Sequence, residues 1–285
     1  MIINNKAVKW EKIKFLGKGL WGSVYLAKPA VPLLSSSFPP FMALKSATAN
    51  LSSTLQLENT ILHDLKDCPE IVQCFGYDLS VENGKLVYNL LLEYANGGTL
   101  EELIESSGDR MQEWEASKYT CMLLKGLCHV HHKGYVHCDL KANNVLVFLS
   151  KQKNGEVKYS LKIADFGLAK SRRCDNADDH QHKLQPLLGV ANYNVAIDIW
   201  SLGCIVAEML VGKSLWCNNL QQDLMMMMVS KDNEEKWLET LPGFMSKDAK
   251  DFLRRCMTMN KKERWSGDRL LQHPFITQFV DLNLD

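Results

Sequence analysis

The sequence has no net charge and no apolar stretch of membrane length. Its 285 residues carry 33 Lys and Arg against 33 Asp and Glu. A chain without a basic excess lacks the electrostatic footprint for nucleic acid or an anionic membrane surface. No run approaches the roughly 18 uninterrupted apolar residues of a membrane span, and the first residues lack the apolar core of a secretion signal. We therefore expect no nucleic-acid partner and no membrane partner.

Paired cysteines are also missing. The nine cysteines are an odd number, lie in apolar segments and form no Cys-x-x-Cys pair. This usage is typical of reduced thiols, so we expect a cytoplasmic or nuclear protein without structural disulfides or a zinc cluster. Cys174, His180 and His182 are candidate metal ligands, but their spacing fits no common zinc pattern, and a solvated loop is the favoured interpretation.

Length and patterning indicate an α+β protein. At about 150 residues per domain, the chain predicts two domains or one fold of two lobes. Hydrophobic residues make up 46% and charged residues 23%, which excludes disorder, collagen and coiled coil. Strand patterns come first, before a flexible joint at Asn96-Gly97-Gly98, and helical patterns follow it. The strands are expected within residues 10–28, 41–45, 71–77 and 85–94.

Three helices are expected from apolar periodicity. The first starts at Leu51, with Ser52 or Ser53 available as N-cap and Glu58 on its apolar face. Its apolar positions are Leu51, Leu55, Leu62 and Leu65. The others cover residues 114–132 and 198–211, and the last is apolar nearly all round, as a helix in a domain centre must be.

The first candidate site is the glycine cluster Gly17-Lys18-Gly19-Leu20-Trp21-Gly22. Alone its spacing is a weak signal, because dinucleotide folds and plain turns use it too. Here a strand pattern, residues 24–27, follows where a dinucleotide fold opens a helix. We interpret the cluster as a hairpin whose backbone lies over phosphates.

Lys45 and Glu58 form the second candidate. Lys45 ends an apolar strand, and Glu58 lies on the apolar face of the next helix, where a lone carboxylate is costly to bury. Each could simply reach solvent. As a pair they solve each other's burial problem, and a lysine held in this way is ready to receive phosphate oxygens.

The third candidate is a hairpin flanked by Asn144 and Asp165. The midpoint of these positions falls between Asn154 and Gly155, and Asn-Gly is a strong hairpin-turn signal. We therefore expect antiparallel strands that bring two hard oxygen ligands together for Mg²⁺. Just before the hairpin, Asp139 can accept a hydroxyl proton and Lys141 can meet developing phosphate charge.

Together these motifs resemble those of eukaryotic protein kinases over about residues 10–279. The resemblance implies a two-lobed protein kinase fold, with residues 1–95 as the N-lobe and 96–285 as the C-lobe. It implies ATP and Mg²⁺ as cofactors and a protein hydroxyl as acceptor. The implied catalytic residues are Asp139, Lys141, Lys45 and Glu58, and the implied metal ligands are Asn144 and Asp165.

The resemblance also implies the nucleotide contacts. Leu92 is the expected gatekeeper, and Glu93 and Ala95 the expected hinge residues that offer backbone groups. The full set is Leu16, Gly17, Lys18, Gly19, Gly22, Val24, Ala43, Lys45, Leu92, Glu93, Ala95 and Leu146. From the sequence alone, the apolar members of this set are more often plain core. A stacked spine across the lobes is implied for Leu62, Cys74, His137 and Phe166, with Asp198 as its anchor.

The residues within these motifs suggest a subfamily. A lysine two residues after the catalytic aspartate, as Lys141 is after Asp139, resembles the pattern of Ser/Thr kinases. His-Cys-Asp-Leu-Lys and the Gly-x-Trp-Gly loop are most similar to plant mitogen-activated protein kinase kinase kinases. This implies a Ser/Thr kinase in a MAP kinase cascade, with a downstream MAP kinase kinase as partner.

Three features depart from the family pattern. Cys138 stands where many kinases carry an arginine that grips an activation-segment phosphate, and no Ser or Thr occurs in residues 172–192. The Ala-Pro-Glu motif is absent between Gly189 and Asp198, which leaves Arg264 without its usual carboxylate. The alternatives are therefore a nucleotide-binding pseudokinase or scaffold with weak activity, and a truncated isoform that folds poorly.

Overall fold

A computed structural model describes residues 10–19, 22–30, 39–108, 110–171, 194–212 and 241–279. The strands are β1 (Trp10–Gly19), β2 (Gly22–Pro29), β3 (Met42–Thr48), β4 (Cys74–Glu82), β5 (Lys85–Glu93), β6 (Tyr135–Val136), β7 (Val145–Lys151), β8 (Val157–Ile163) and β9 (Lys170–Ser171). The helices are α1 (Ser53–Asp64), α2 (Leu100–Ser106), α3 (Glu113–His132), α4 (Ala196–Val211), α5 (Lys247–Met257), α6 (Gly267–Leu270) and α7 (Pro274–Thr277).

The first five strands form one antiparallel sheet in the order β1-β2-β3-β5-β4. After β5 the chain is mainly helical, with two two-stranded antiparallel sheets, β6·β9 and the hairpin β7·β8, among the helices. The predicted α+β class, β-rich first and α-rich second, is confirmed. The exact boundary between residues 95 and 96 stays a prediction.

Two apolar clusters lie on opposite faces of this sheet. Because side chains alternate along a strand, Ala43 of β3 faces the cluster that extends through α1, α3 and α4, whereas Met42 and Leu44 face the other way. The smaller cluster consists of Ala27, Met42, Leu44 and Leu91. Lys45 follows the same alternation as Ala43 and points toward α1.

Helix α1 starts later than its periodicity predicts. Residues Ala49–Leu51 form a 3₁₀ turn, and Leu51 is 66% exposed rather than part of the apolar face. Ser52 is the N-cap, as expected, but its hydroxyl donates to the Ala49 carbonyl at 2.8 Å and accepts from the Gln56 side chain at 2.9 Å, rather than capping a backbone N–H of α1. Glu58 lies on the buried face, as predicted, with no exposed surface.

The β7·β8 hairpin forms as predicted, with a register one residue different. Asn144 precedes β7 and its carbonyl accepts from the N–H of Ala164, not of Asp165, at 2.9 Å. The cause is a three-residue loop between Gln152 and Glu156, closed by a 2.8 Å backbone bond, in place of a two-residue Asn-Gly turn. Gly155 takes φ +85° there, the left-handed conformation that such a loop requires at its last position.

The cysteines within the described ranges are free thiols. Among those same residues, no His, Cys, Asp and Glu group of three or more could hold a metal ion. Cys174, His180 and His182 lie outside the described residues. Over the described part of the chain, none of the helices combines the length and apolar character needed to cross a membrane.

Candidate active site

Lys45 lies between two carboxylates. Its Nζ is 2.7 Å from Oε2 of Glu58 and 2.8 Å from Oδ1 of Asp165. The other Glu58 oxygen accepts the backbone N–H of Phe166 at 3.2 Å. One helix, one strand and the segment after β8 therefore meet at a single ammonium group.

Electrostatics hold this group in its charged form. Burial alone would lower the pKa of Lys45, but Glu58 and Asp165 together outweigh it and raise that pKa. Burial works against the Asp165 carboxylate as well, yet the nearby Lys45 ammonium keeps the pKa of Asp165 below its usual value. Complete burial raises the pKa of Glu58. The ion pair therefore depends on all three groups.

A second cluster contains Asp139, Lys141 and Asn144. Lys141 Nζ donates to both Asp139 oxygens, at 2.9 and 3.2 Å. Asn144 Nδ2 donates to the Asp139 backbone carbonyl at 2.7 Å and to its Oδ2 at 2.9 Å. Both side chains that donate to Asp139 come from the loop that leads into β7. Two of the four predicted catalytic residues, Asp139 and Lys141, therefore contact each other here, and the other two, Lys45 and Glu58, form the buried pair described above.

The predicted metal ligands have oxygen atoms to spare. Because Nδ2 of Asn144 faces Asp139, the amide oxygen points the other way. Asp165 uses Oδ1 for Lys45, and 37% of its side chain is exposed. An amide oxygen and a carboxylate oxygen are donors that suit Mg²⁺. The residues present fit the ion.

The Asp198 side chain holds the backbone of the loop that leads to Asp139. The side chain of Asp198, at the start of α4, is fully buried and accepts the N–H groups of His137 and Cys138 at 2.9 and 3.0 Å. His131 in α3 lies 2.9 Å from the same carboxylate. The imidazole of His137 packs edge-on against Phe166 at 4.7 Å. Asp198 thus lies where the resemblance implies it.

The glycine hairpin closes at the predicted place. β1 and β2 pair up to Gly19 opposite Gly22, and residues 20–21 lie outside the described ones. A Cβ on Gly22 would come within 2.5 Å of the Ser46 carbonyl in β3, whereas nothing lies within 4 Å of one on Gly17. A side chain at position 22 would therefore clash with β3, whereas the space beside Gly17 is open. Lys18 is exposed.

The apolar members of the expected nucleotide-contact set are divided between the core and the surface. Ala43 and Leu92 are buried, Val24 and Leu146 pack partly buried against the same cluster, and Leu16 is 39% exposed. Ala43 and Leu92 are directly opposed in the β3·β5 pairing.

At the expected hinge, the backbone N–H and the carboxylate of Glu93 already form hydrogen bonds within the protein. The Glu93 N–H donates to the Gln73 carbonyl at 2.9 Å, so that donor is not free for a nucleotide, and its carboxylate pairs with Lys162 of β8. Ala95 is partly exposed.

Asn96 shows a contact that the sequence did not indicate. Its side chain forms hydrogen bonds of 3.0 and 2.8 Å with the backbone of Leu149 in β7. Gly97 also donates to the Val147 carbonyl at 3.0 Å. The predicted joint is therefore attached to β7 at Asn96, because the Asn96 amide makes the pair of hydrogen bonds that a neighbouring strand would make to Leu149.

Arg264, expected to lack its usual carboxylate, has two backbone carbonyl acceptors. It donates to the carbonyls of Thr258 and Ala196 at 2.7 and 2.8 Å, and its guanidinium lies 4.6 Å from the centre of the Trp200 ring. Thr258 follows the end of α5, where carbonyls lack helical partners. The guanidinium therefore binds backbone in the place of a carboxylate. Residues 172–193 lie outside the described part of the chain.

The protein kinase domain model matches residues 10–276. This chain belongs to the protein kinase family. The kinase domain is 34% identical over 290 residues to mitogen-activated protein kinase kinase kinase 20 of Arabidopsis thaliana, covering 98% of this chain and 80% of that protein. It is 33% identical to mitogen-activated protein kinase kinase kinase 17 of the same plant, with 96% and 71% coverage.

A relative also occurs in an organism that is not a plant. Mitogen-activated protein kinase kinase kinase A of Dictyostelium discoideum is 29% identical, over 98% of this chain and 29% of that protein. The chain therefore has the protein kinase fold and is related to mitogen-activated protein kinase kinase kinases.

Proposed function

We propose that this kinase domain transfers the γ-phosphate of ATP to a Ser or Thr hydroxyl of a protein, within a MAP kinase cascade. The observation that carries the proposal is the single ammonium of Lys45 between Glu58 and Asp165. The Asp139 cluster is connected to this group through Asn144, whose backbone carbonyl accepts the N–H of Ala164, the neighbour of Asp165. Such an arrangement combines a fixed cation for phosphate, a carboxylate base and oxygen ligands for a divalent ion.

Each residue then has a chemical role. Asp139 orients the acceptor hydroxyl and takes its proton as the oxygen forms a bond to the γ-phosphorus and the bond to the β-phosphate oxygen breaks, which releases ADP. Lys141 offsets charge on the transferred group, and Glu58 holds Lys45 toward the phosphates. Asn144 and Asp165 would hold Mg²⁺, which supplies charge neutralisation on phosphate oxygens.

The nucleotide is placed by the remaining predicted residues. The strands around Gly17, Lys18, Gly19 and Gly22 would cover the phosphates. The adenine would lie among Leu16, Val24, Ala43, Leu92 and Leu146, against backbone groups of Glu93 and Ala95. We assign residues 1–95 to the N-lobe and 96–285 to the C-lobe. A MAP kinase kinase is the proposed protein substrate, in the cytoplasm or nucleus.

The direct test combines binding with phosphotransfer. At a hundredfold excess over its dissociation constant, Mg·ATP should stabilise the fold by about 2.7 kcal/mol. The protein should also label a MAP kinase kinase on Ser or Thr. Lys45→Met should weaken Mg·ATP binding and slow the labelling reaction by at least tenfold each, because it removes the buried cation. Lys28→Met is the matched control, since the Lys28 pair with Glu11 is exposed on the same sheet. A folded protein without a thermal shift in Mg·ATP would refute the proposal.

A second candidate is a nucleotide-binding scaffold with little kinase activity. It is favoured by the missing Ala-Pro-Glu, because this segment supports the acceptor peptide and a misplaced acceptor costs on the order of a hundredfold in rate. Inserting a family-like segment after Tyr193 should then raise peptide turnover and leave Mg·ATP binding unchanged. If the present chain already turns over at ordinary kinase rates, about 1 to 100 per second, the scaffold alternative is excluded.

A further inference from the structure

Tyr135 contacts two elements on which the candidate active site depends. Its hydroxyl donates a 2.6 Å hydrogen bond to Oδ2 of Asp64, the last residue of α1. In β6, its backbone pairs with Ser171 of β9, six residues beyond Asp165. One residue therefore touches the helix that carries Glu58 and the strand that follows Asp165.

The location of Asp64 calls for a stabilising donor. A carboxylate at the C-terminal end of a helix faces the negative end of the helix dipole, which disfavours it. The Tyr135 hydroxyl supplies a hydrogen bond to this charge, and such charge-assisted bonds are stronger than neutral ones. The tyrosine is only 8% exposed and belongs to the main apolar cluster, so packing fixes the direction of its hydroxyl.

Helix α1 needs more than one directional attachment. The bonds of Glu58 to Lys45 and to the N–H of Phe166 hold the helix near its middle. Asp64 lies six residues further on, about 9 Å along the axis. Apolar packing of Leu62 resists separation but has no preferred direction. A hydrogen bond at the C-terminal end of α1 prevents the helix from rotating about its attachment at Glu58.

We propose that Tyr135 is a positioning residue, which acts through Asp64 to hold α1 in the orientation where Glu58 meets Lys45. The consequence for phosphotransfer rests on the proposed function. The consequence for α1 itself does not, and the experiment separates the two.

The test compares four single variants and one double variant with the parent protein, by hydrogen exchange and by Mg·ATP affinity. Tyr135→Phe and Asp64→Ala should speed amide exchange in residues 55–64 about tenfold, the effect of losing one hydrogen bond to a charged group. Asp64→Asn keeps an oxygen acceptor and should restore most of the protection. Tyr119→Phe is the matched control, because its hydroxyl donates to Glu115 at 3.0 Å within α3. It should leave exchange in α1 unchanged.

The affinity measurement links the helix to the site. Tyr135→Phe and Asp64→Ala should each weaken Mg·ATP binding several-fold, the double variant no further than either single one, and Asp64→Asn much less. Unchanged α1 exchange in Tyr135→Phe, or equal acceleration in Tyr119→Phe, would overturn the positioning role. If the parent protein binds no Mg·ATP, the proposed function fails, and the exchange measurement alone decides whether Tyr135 positions α1.

Discussion

Lys12 and Glu82 join the two edges of the N-terminal sheet. Lys12 Nζ donates to both Glu82 carboxylate oxygens at 2.8 Å, although β1 and β4 are the outermost strands. In a flat sheet, four strand spacings would separate these edges by about 19 Å. The sheet must therefore curl until its edges come within reach of these two side chains. Ser80 and Asn89 continue the polar contacts from Glu82 into the sheet.

Breaking this closure should destabilise the protein modestly. Glu82→Gln should lower the free energy of unfolding by about 0.5 to 1 kcal/mol, the upper range for a partly exposed ion pair. The side chains of Lys12 and Glu82 are 23% and 38% exposed. Urea unfolding measures the change. Glu11→Gln, which breaks the more exposed 3.3 Å pair with Lys28, is the control and should cost about 0.3 kcal/mol or less. Equal losses would contradict a closure role.

Arg264→Ala should destabilise the kinase domain by about 2 kcal/mol, because it removes two charge-assisted bonds to backbone carbonyls and the contact with Trp200. Arg264→Lys should recover less than half, since an ammonium cannot span both acceptors. Arg269→Ala, which removes an exposed guanidinium 3.7 Å from the Trp265 ring, is the control. Equilibrium unfolding measures both changes. If Arg269→Ala lowers the free energy of unfolding more than Arg264→Ala does, the contacts of Arg264 do not stabilise the domain as proposed.

His137 should make stability depend on pH. Its Nε2–H donates to the Ala164 carbonyl at 3.0 Å, a bond that either protonation state can make, whereas its Nδ1 accepts from the Asp139 N–H at 3.3 Å, a bond that requires the neutral ring. Burial lowers the pKa of His137, despite the nearby Asp198. The unfolded state then binds the proton more readily. The stability contributed by His137 is complete above about pH 6.5 and is lost as the pH falls, at up to about 1.4 kcal/mol per pH unit.

Chemical unfolding at a series of pH values checks this expectation. His137→Phe should reduce the loss of stability between about pH 7.5 and about pH 5.5, even if it lowers stability at both. His132→Gln, at a side chain that is 65% exposed, should leave the slope as in the parent protein. An unchanged slope in His137→Phe would show that other groups cause the pH dependence.

Phosphatase treatment should not alter kinase turnover through the activation segment. Residues 172–192 contain no Ser or Thr, and Cys138 offers no cation to bind a phosphate. Ser171 is the one nearby hydroxyl, so Ser171→Ala is the control and should also respond identically with and without phosphatase. A large loss of activity that maps to residues 171–193 would refute this prediction.

Much of the fold was predictable because its signals are local. Helices α3 and α4 follow the expected periodicity to within two residues, and the sheet strands arise from alternation between turns. The start of α1 and the β7·β8 register were not predictable. The first depends on a 3₁₀ turn in which Ser52 bonds Ala49, and the second on which of two loop lengths the Asn-Gly pair adopts.

The candidate site divides in the same way. Spacing and residue type indicated Lys45 with Glu58, and Asn144 near Asp165, because a buried charge needs a partner and a hairpin brings its ends together. Sequence alone did not indicate a role for Asn96, because the Asn-Gly-Gly pattern is typical of a flexible joint. The partner of its amide is Leu149, which lies 53 residues further along the chain.

The sequence by itself determined the chemistry of this protein. It specifies which side chains can carry charge or accept a proton, where glycines leave the backbone accessible, and which helix or strand carries each of these residues. Only the tertiary structure decided that Lys12 reaches Glu82, that Tyr135 bonds Asp64 and that Arg264 binds the Ala196 carbonyl. These pairs lie 68 to 71 residues apart. Their hydrogen bonds form only when packing of the whole core brings two atoms within about 3 Å, a condition that no local periodicity encodes.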